Sequence, residues 1–306
     1  MRDTQWVRCS LRQLSNALQV KGHLACPTTV SGLLKEQGYS LKSNVKRFTG
    51  PGEVRRDSQF EHIEEERKRF LDSGCPVISV DTKKKELIGN FKNAGQAWCH
   101  QPDEVNAHDF PQDAEGRAVP YGIYDLRHNR GYVCVGTSAD TPEFAVEAIM
   151  QWWRAEGERD FAGSDKGILI LCDAGGSNGY RLRLWKQQLQ ERVANQLGLE
   201  VTVCHYPAGA SKWNPIEHRL FSHISINWAG KPLRTWDTML NYLRGTTTQS
   251  GLKVEASLMN REYQTGRKVS NQVMHNLNLK RHTVCPEWNY TIKPQSQPAA
   301  PIPEEP

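Results

Sequence analysis

The sequence of 306 residues lacks a long hydrophobic run. Its longest strongly apolar stretch, Gly167–Cys172, is far shorter than the roughly 20 residues that a membrane-spanning helix needs. No apolar segment follows Met1 closely enough to act as a secretory signal. We therefore expect neither a membrane protein nor a secreted one, and no membrane among its partners.

The eight cysteines lack the spacing of a metal hook or of a disulfide framework. No two of them are closer than 17 residues, so the chain has no C-x-x-C pair. Cys134 and Cys172 lie in apolar runs, where a thiol behaves as a small hydrophobic side chain. The cysteines are therefore predicted to be reduced, which indicates a cytoplasmic protein.

The composition, with 38% apolar and 24% charged residues, is typical of a globular protein of about two domains. Its charge is divided unevenly: residues 1–50 carry +6, residues 51–206 carry −6 and residues 207–293 carry +7. Clustered cations attract nucleic-acid phosphates, whereas clustered acids repel them unless a metal neutralises the acids. The distribution favours a nucleic-acid partner modestly.

Residues 1–50 have the pattern of a helix-turn-helix. Residues 10–22 predict a helix that Ser10 caps, and residues 28–38 predict a second helix, capped by Thr28 or Thr29. In a DNA-binding protein the second helix would enter the major groove. Its outward side chains are Thr29, Ser31 and Lys35. A helical hairpin with no DNA function fits the same pattern, so both interpretations stay open.

The rest of the chain predicts an α/β fold. A connector of residues 51–75 contains a charged helix, and from residue 76 apolar strands alternate with helices after a β-hairpin. This order indicates a mixed sheet with helices on both faces. The catalytic domain is assigned to residues 76–293, with an insertion at 93–119, and the proline-rich tail 294–306 is predicted to be disordered.

Two of the apolar strands run into an aspartate, Asp81 after residues 77–80 and Asp173 after residues 168–172. Functional groups gather at the carboxyl ends of strands in open α/β sheets. A carboxylate at a buried strand end is costly unless it is paired or bound to a metal, and Mg²⁺ prefers oxygen ligands. A divalent-metal site is one interpretation, and two aspartates that only cap loops are the other.

A third acid, Glu217, follows in the segment SKWNPIEHR. Asn214 as N-cap, Pro215 as the first helical residue and Glu217 as the third form a near-ideal helix start. That capping role explains Glu217 without any catalysis. A helix start would equally hold a carboxylate rigidly beside the end of a sheet. Asp81 and Asp173 are separated by 91 residues, and Asp173 and Glu217 by 43.

Several longer strings resemble the Rhodopirellula-type (ISAzo-type) DDE transposase family over nearly the whole chain, to about residue 293. They are VDTKKKELIGNFKN, YGIYDL, DAGGSNGYRLRLWK, CHYPAGASKWNPIEHRLFSHI, TTTQSGLKV and EWNYTIKP. The resemblance implies a ribonuclease-H-like mixed sheet flanked by helices, preceded by a small helical region. It also implies that Asp81, Asp173 and Glu217 are the catalytic, metal-binding acids. Ala174 departs from the family, which has glycine there.

The chemistry that the resemblance implies is metal-dependent DNA cleavage and strand transfer at transposon ends. Two Mg²⁺ ions about 4 Å apart, replaceable by Mn²⁺, would stabilise the attacking and leaving oxygens. The partners would be transposon-end and target DNA, bound by a homo-oligomer associated with the bacterial nucleoid. Two alternatives stay open: a ribonuclease-H-like nuclease, or a truncated remnant that binds DNA without transposing, since the family has a longer region before the segment similar to residues 5–50.

Further DNA contacts are predicted around the acids, each beside a plainer interpretation. Lys83, Lys84 and Lys85 would reach phosphates or simply cover a solvated hairpin, and Lys212 and Trp213 would hold and stack a DNA end or, for Trp213, join the core. The amides of Ser177 and Asn178 would bind phosphate at a helix start or merely form a glycine-rich turn. His205 and His218 are expected more often to be structural than catalytic.

Overall fold

The computed structural model describes residues 9–41, 53–164 and 166–295. The chain divides into two compact units, Met1–Pro51 and Gly52–Pro306. The tail predicted over residues 294–306 lies outside the described residues from position 296 onward. Among the described residues, each helix is too short or too polar to cross a lipid bilayer.

The first unit contains two helices, α1 (Leu11–Val20) and α2 (Pro27–Glu36). Ser10 caps α1 as predicted, since its hydroxyl accepts the Gln13 N–H. The predicted cap of α2 at Thr28 or Thr29 is wrong: Pro27 begins the helix, because its fixed φ suits the first turn. Among the described residues of this unit only Val30 is buried.

The second unit has nine strands in its described residues. They are β1 (Val77–Thr82), β2 (Glu86–Ile88), β3 (Gly116–Asp125), β4 (Arg130–Gly136), β5 (Gly167–Cys172), β6 (Glu200–His205), β7 (Lys253–Met259), β8 (Leu279–Arg281) and β9 (Asn289–Ile292). Its helices are α3 (Glu53–Asp72), α4 (Pro142–Trp152), α5 (Glu158–Asp160), α6 (Arg183–Gln188), α7 (Asn195–Leu197), α8 (Ser222–Asn227), α9 (Trp236–Arg244) and α10 (Asn271–Asn276). Segments with π-helical hydrogen bonding join α4 to α5 and α6 to α7, and one also precedes α8; they are Trp153–Gly157, Leu189–Ala194 and Glu217–Phe221.

The strands form one mixed sheet in the order β7-β4-β3-β1-β5-β6-β9-β8, with β2 paired to β3. The strands β1, β5 and β6 are parallel neighbours, whereas β3 is antiparallel to both β1 and β4. This arrangement confirms the predicted mixed α/β, ribonuclease-H-like fold. The adjacency of β1 and β5 is what brings the two predicted strand-end aspartates together.

Helices cover both faces of the sheet, because alternate strand residues point to opposite sides. On one face α4 and α6 bury Phe144, Trp152 and Trp185 against the sheet. On the other face, α3 packs through Ile63 and Phe70, and α8 and α9 pack beside it. The segment that carries Glu217 precedes α8 and therefore lies on the same face as α3.

Two boundaries in the second unit also differ from the sequence prediction. β3 begins at Gly116, so the last residues of the predicted insertion 93–119 belong to the sheet. The helix expected from Ser177 begins at Arg183 instead. Gly176 has a φ of +70° and ends any continuous helix there, which leaves Gly176–Asn178 as a single 3₁₀ turn.

Candidate active site

The paired strands β1 and β5 position the first two acids. Val80 of β1 pairs with Cys172 of β5, so Asp81 and Asp173 follow side by side at the carboxyl ends of parallel strands. Asp81 is the fifth residue of β1, and its Oδ1 accepts the Thr82 N–H at 2.7 Å. Both side chains are half-buried, and the charge of Asp173 helps to raise the pKa of Asp81, so the two carboxyl groups are neighbours at this edge of the sheet.

Two glycines let the helical segment that carries Glu217 approach the sheet closely. A Cβ added to Gly122 of β3 would lie 2.5 Å from the Phe221 ring, and one added to Gly131 of β4 would lie 2.4 Å from Leu220. Atoms cannot approach so closely, so any side chain at these positions would push the segment away from the sheet. The half-buried Glu217 is thereby held beside β1.

Asn214 does not cap this helix with its side chain, which corrects the sequence interpretation. It is fully buried. Its Nδ2 donates to Asp173 Oδ1 at 3.3 Å and lies 3.4 Å from the Val80 carbonyl, while its Oδ1 accepts the Ser79 hydroxyl. Ser79 Oγ in turn accepts the Ile216 N–H at 3.0 Å. The hydroxyl of β1 thus replaces Asn214 as the side-chain acceptor at the helix start.

Ser79 was missed by sequence reasoning, although a lone hydroxyl within the apolar run PVISV was a signal that could have found it. Ser79 and Asp81 are two residues apart on one strand, so they share a face of the sheet. Through Ser79 and Asn214, hydrogen bonds connect the three elements that carry Asp81, Asp173 and Glu217.

The three acids repel one another. Burial, and then the charge of Asp173, raises the pKa of Asp81 to about 8, with smaller contributions from Glu217 and Asp140. Burial also raises the pKa of Asp173, although the hydrogen bond from Asn214 opposes this. Within the described residues no lysine or arginine forms an ion pair with any of the three carboxylates. This donor set, rich in oxygen and short of positive charge, fits a hard divalent cation.

A fourth acid, Asp140, lies beside the site and was also missed. It accepts a hydrogen bond from Thr82 Oγ1 at 3.2 Å, and its Oδ2 is 3.9 Å from Lys85 Nζ. It directly precedes Thr141, the N-cap of α4. Only the sheet pairing reveals that this loop lies next to Asp81.

The three consecutive lysines have three different environments. The side chain of Lys83 is only 10% exposed, lies 4.8 Å over the Trp228 ring and is 4.0 Å from Glu86. Burial lowers the pKa of Lys83. Lys84 is exposed, and Lys85 faces Asp140. Lys84 and Lys85 can therefore reach a bound phosphate more readily than Lys83.

Lys212 and Trp213 lie on the surface directly before the Glu217 segment. Trp213 is 56% exposed, so the alternative that it belongs to the core is wrong. Its ring meets Phe60 of α3 edge-on at 5.8 Å, and the Lys212 ammonium lies 5.5 Å over it. His218 Nε2 donates to the Lys212 carbonyl, which is a structural contact.

Ser177 and Asn178 are buried, and the hydroxyl of Ser177 lies 3.5 Å from Thr82 Oγ1. His205 lies beneath them, fully buried, with its ring nitrogens 2.9 Å from the carbonyls of Asn178 and Trp288. Burial lowers the pKa of His205 to about 4, and backbone carbonyls occupy both ring nitrogens, so the ring packs structurally. Phosphate binding by the Ser177 and Asn178 amides stays a prediction.

The predicted DNA-reading residues of the first unit all lie on α2. Thr29 and Lys35 are exposed and Ser31 is half-buried. Leu33, on the same helix, is 45% exposed. The helix therefore presents a mixed polar and apolar surface, and its role in DNA binding stays a prediction.

The chain matches the family model described as the Rhodopirellula transposase DDE domain over residues 1–294. Among solved structures, it is similar to the Mos1 transposase paired-end complex with left transposon end, at 17% identity and a TM-score of 0.46 over 79% of this chain and 66% of that one. It is also similar to the mariner Mos1 paired end complex with Mg, at 15% identity and a TM-score of 0.46, again over 79% of this chain and 66% of that one. The similarity to the catalytic domain of Mos1 mariner transposase has 14% identity and a TM-score of 0.42, over 65% of this chain and 83% of that one.

The match thus spans just under two thirds of the full Mos1 chains. No curated protein sequence shows a significant match to this chain.

Proposed function

The chain belongs to the Rhodopirellula transposase DDE family, a family of phosphoryl-transfer enzymes, and on that premise we propose that it cleaves DNA at transposon ends and joins those ends to target DNA. The observation that carries the proposal is the convergence of Asp81, Asp173 and Glu217 on one sheet edge. A purely structural role would not gather three carboxylates where burial and neighbouring negative charge raise the pKa of both Asp81 and Asp173.

Asp81, Asp173 and Glu217 would hold two Mg²⁺ ions, with Mn²⁺ able to replace them. When bound, such ions stabilise the charge on the attacking and leaving oxygens of the phosphodiester. The chain's own contribution is to orient the ligands. Thr82 holds one oxygen of Asp81, and Asn214 holds one oxygen of Asp173, so each carboxylate keeps its other oxygen for the cation.

The surface beside the acids would bind the DNA end. Trp213 offers an exposed ring on which a base can stack, and Lys212 and Lys84 offer exposed positive charges for the backbone. Lys85, which faces Asp140 in the free protein, would leave Asp140 to contact a phosphate. End recognition by Thr29, Ser31 and Lys35, assembly as a homo-oligomer on DNA and a cytoplasmic site of action are parts of the same proposal.

The test is cleavage and joining of labelled DNA that carries the element's own ends, in Mg²⁺ and in Mn²⁺. Glu217→Gln is expected to reduce cleavage by more than about 100-fold. Loss of a residue that only supports a metal ligand costs up to about 100-fold, and Glu217 would be a ligand itself. Glu262→Gln, at an exposed acid, is the matched control and should cleave like the wild type.

Equal cleavage by the wild type and Glu217→Gln would remove Glu217 from the site. Cleavage without joining would favour the nuclease alternative. DNA binding without cleavage by the wild type would favour the remnant.

A further inference from the structure

A second group of metal-ligand side chains lies where α3 meets the C-terminal strands. His62 and Glu66 are one helical turn apart on α3, and His282 directly follows β8. One ligand atom from each of the three residues lies within 4.8 Å of the other two. None of the three belongs to the carboxylate site, and the family resemblance assigns them no role.

The ring of His282 is oriented by a hydrogen bond on its far side. Its Nε2 lies 2.9 Å from Thr291 Oγ1, and that hydroxyl is in turn 2.9 Å from Thr202 Oγ1. The other ring nitrogen, Nδ1, therefore faces His62 Nε2, at 2.9 Å. A hydrogen bond from the second ring nitrogen to a fixed oxygen is the usual arrangement of a histidine that ligates a metal.

Glu66 completes the group from the same side as His62. A spacing of four residues places both side chains on one face of the helix. The Glu66 side chain is 15% exposed, and its Oε2 accepts a hydrogen bond from Arg69, which leaves Oε1 for another partner. A carboxylate kept this far from water needs a second positive partner more than a fully exposed one does.

The donor set distinguishes this group from the carboxylate site. Two imidazole nitrogens and one carboxylate oxygen are typical ligands of zinc, which commonly takes a water as the fourth ligand. Magnesium prefers oxygen ligands alone. We propose that His62, Glu66 and His282 bind one zinc ion, separate from the magnesium site, and that this ion clips α3 to the β8–β9 strand pair.

The zinc ion would stabilise the folded state by joining two distant segments of the chain. His62 and His282 are 220 residues apart in sequence, so an ion between them closes a long loop. β8 is a three-residue strand at the edge of the sheet, paired only to β9 among the described strands. Binding to the folded chain alone stabilises it by mass action, so zinc should raise the melting temperature.

The experiment uses the full chain stripped of metal with EDTA and then saturated with Mg²⁺, which occupies the carboxylates. The exposed thiols are removed first by serine substitution at Cys9, Cys26 and Cys99, because thiolates also bind zinc. Titration calorimetry and metal analysis with zinc chloride are expected to give one zinc per chain, together with a higher melting temperature.

Two variants test the ligands in that background. His282→Gln and Glu66→Gln are expected to weaken zinc binding roughly tenfold or more and to abolish the rise in melting temperature. His275→Gln, at an exposed histidine of α10, is the matched control and should bind like the parent chain. Circular dichroism checks the fold, and Glu66→Gln keeps the test valid if His282→Gln misfolds.

Three results would overturn the proposal. The first is no zinc binding by the parent chain, which would mean that the two rings share only a hydrogen bond. The second is equal binding by the parent chain and both variants. The third is loss of zinc in the triple variant Asp81→Asn, Asp173→Asn, Glu217→Gln, which would assign the ion to the carboxylates instead.

Discussion

Two helix starts in this protein have similar sequences but use their polar residues differently. At α4 the Thr141 hydroxyl accepts the Phe144 N–H at 3.3 Å, and Pro142 occupies the first turn. At the Glu217 segment, Asn214 and Pro215 repeat the pattern, yet the Asn214 side chain turns away to Asp173 and Ser79. The first cap serves its own helix, whereas the second residue connects three elements of the candidate active site.

This difference shows what a cap-like motif leaves open. The backbone of Asn214 still starts the helix, since its carbonyl accepts the Glu217 N–H at 3.1 Å. Its side chain can bond to Asp173 because the Ser79 hydroxyl accepts the Ile216 N–H at the helix start in its place. A capping residue can therefore be a site residue wherever a neighbouring strand takes over the capping.

The largest expected effect comes from removing the Asn214 side chain at the start of the Glu217 segment. Asn214→Ala removes the hydrogen bonds to Asp173 and Ser79, so the Asp173 carboxylate loses the contact that orients it. We expect a 10- to 100-fold loss in apparent Mg²⁺ affinity, by analogy with other residues that orient metal ligands. The measurement is DNA cleavage as a function of Mg²⁺ concentration.

Asn227→Ala provides the matched control, because Asn227 ends α8 and bonds to Tyr242 and Thr246, not to the acids. It should keep the Mg²⁺ dependence of the wild type. An unchanged Mg²⁺ dependence in Asn214→Ala would mean that the Asp173 contact does not orient the ligand.

An intermediate effect, on stability, is expected from the negative charge of Asp81, which lies beside Asp173 and the Glu217 segment. In the metal-free folded protein Asp81 keeps its proton up to its pKa of about 8, whereas in the unfolded chain it loses it near 3.8. The folded state therefore binds more protons between these values, and stability falls as pH rises through that window. Asp81→Asn removes this loss, so the variant should unfold at higher urea than the wild type at pH 8 in EDTA.

The gain should be about 1 kcal/mol or more in the free energy of unfolding at pH 8, and small at pH 4. Asp109→Asn, at an exposed loop residue, is the control and should show no such pH-dependent gain. If Asp81→Asn were no more stable than the wild type at pH 8, burial and repulsion would not be destabilising the carboxylate.

The smallest effect is expected at the other helix start. Thr141→Ala removes one cap of α4 and should lower the free energy of unfolding by about 1 kcal/mol. Cleavage measured well below the melting temperature should stay unchanged, because Thr141 contacts none of the three acids. A large loss of cleavage in this variant would show that the loop of Asp140 contributes more to the site than the cap does to the helix.

The parts of the fold that could be predicted were those with a strong local pattern. The apolar run Gly167–Cys172 is β5 without any change in its bounds, and Ser10 caps α1 as expected. β8 and β9 have three and four residues, which is too short for a period of two to show, and they were missed. β7 alternates buried and exposed residues over seven positions, and its pattern could have been read.

For the candidate site, the sequence identified the three acids but not what surrounds them. Ser79 and Asp140 were missed because each had a sufficient local explanation, one inside a strand and the other before a helix cap. The lysines of the KKK run look alike in sequence, yet one is buried against Trp228 and another faces Asp140. Their environments depend on elements far away in the chain.

The sequence by itself determined the strand-end aspartates, the main helices and the family, because these depend on local patterns and long strings of residues. Only the tertiary structure decided that Asn214 turns to Asp173 and that His62 meets His282 across 220 residues. The physical reason is tertiary packing: the order of the sheet makes β1 a neighbour of β5, and the packing of α3 on the sheet brings His62 to the residue after β8. Hydrogen bonds between such elements follow from that order and leave no period in the sequence.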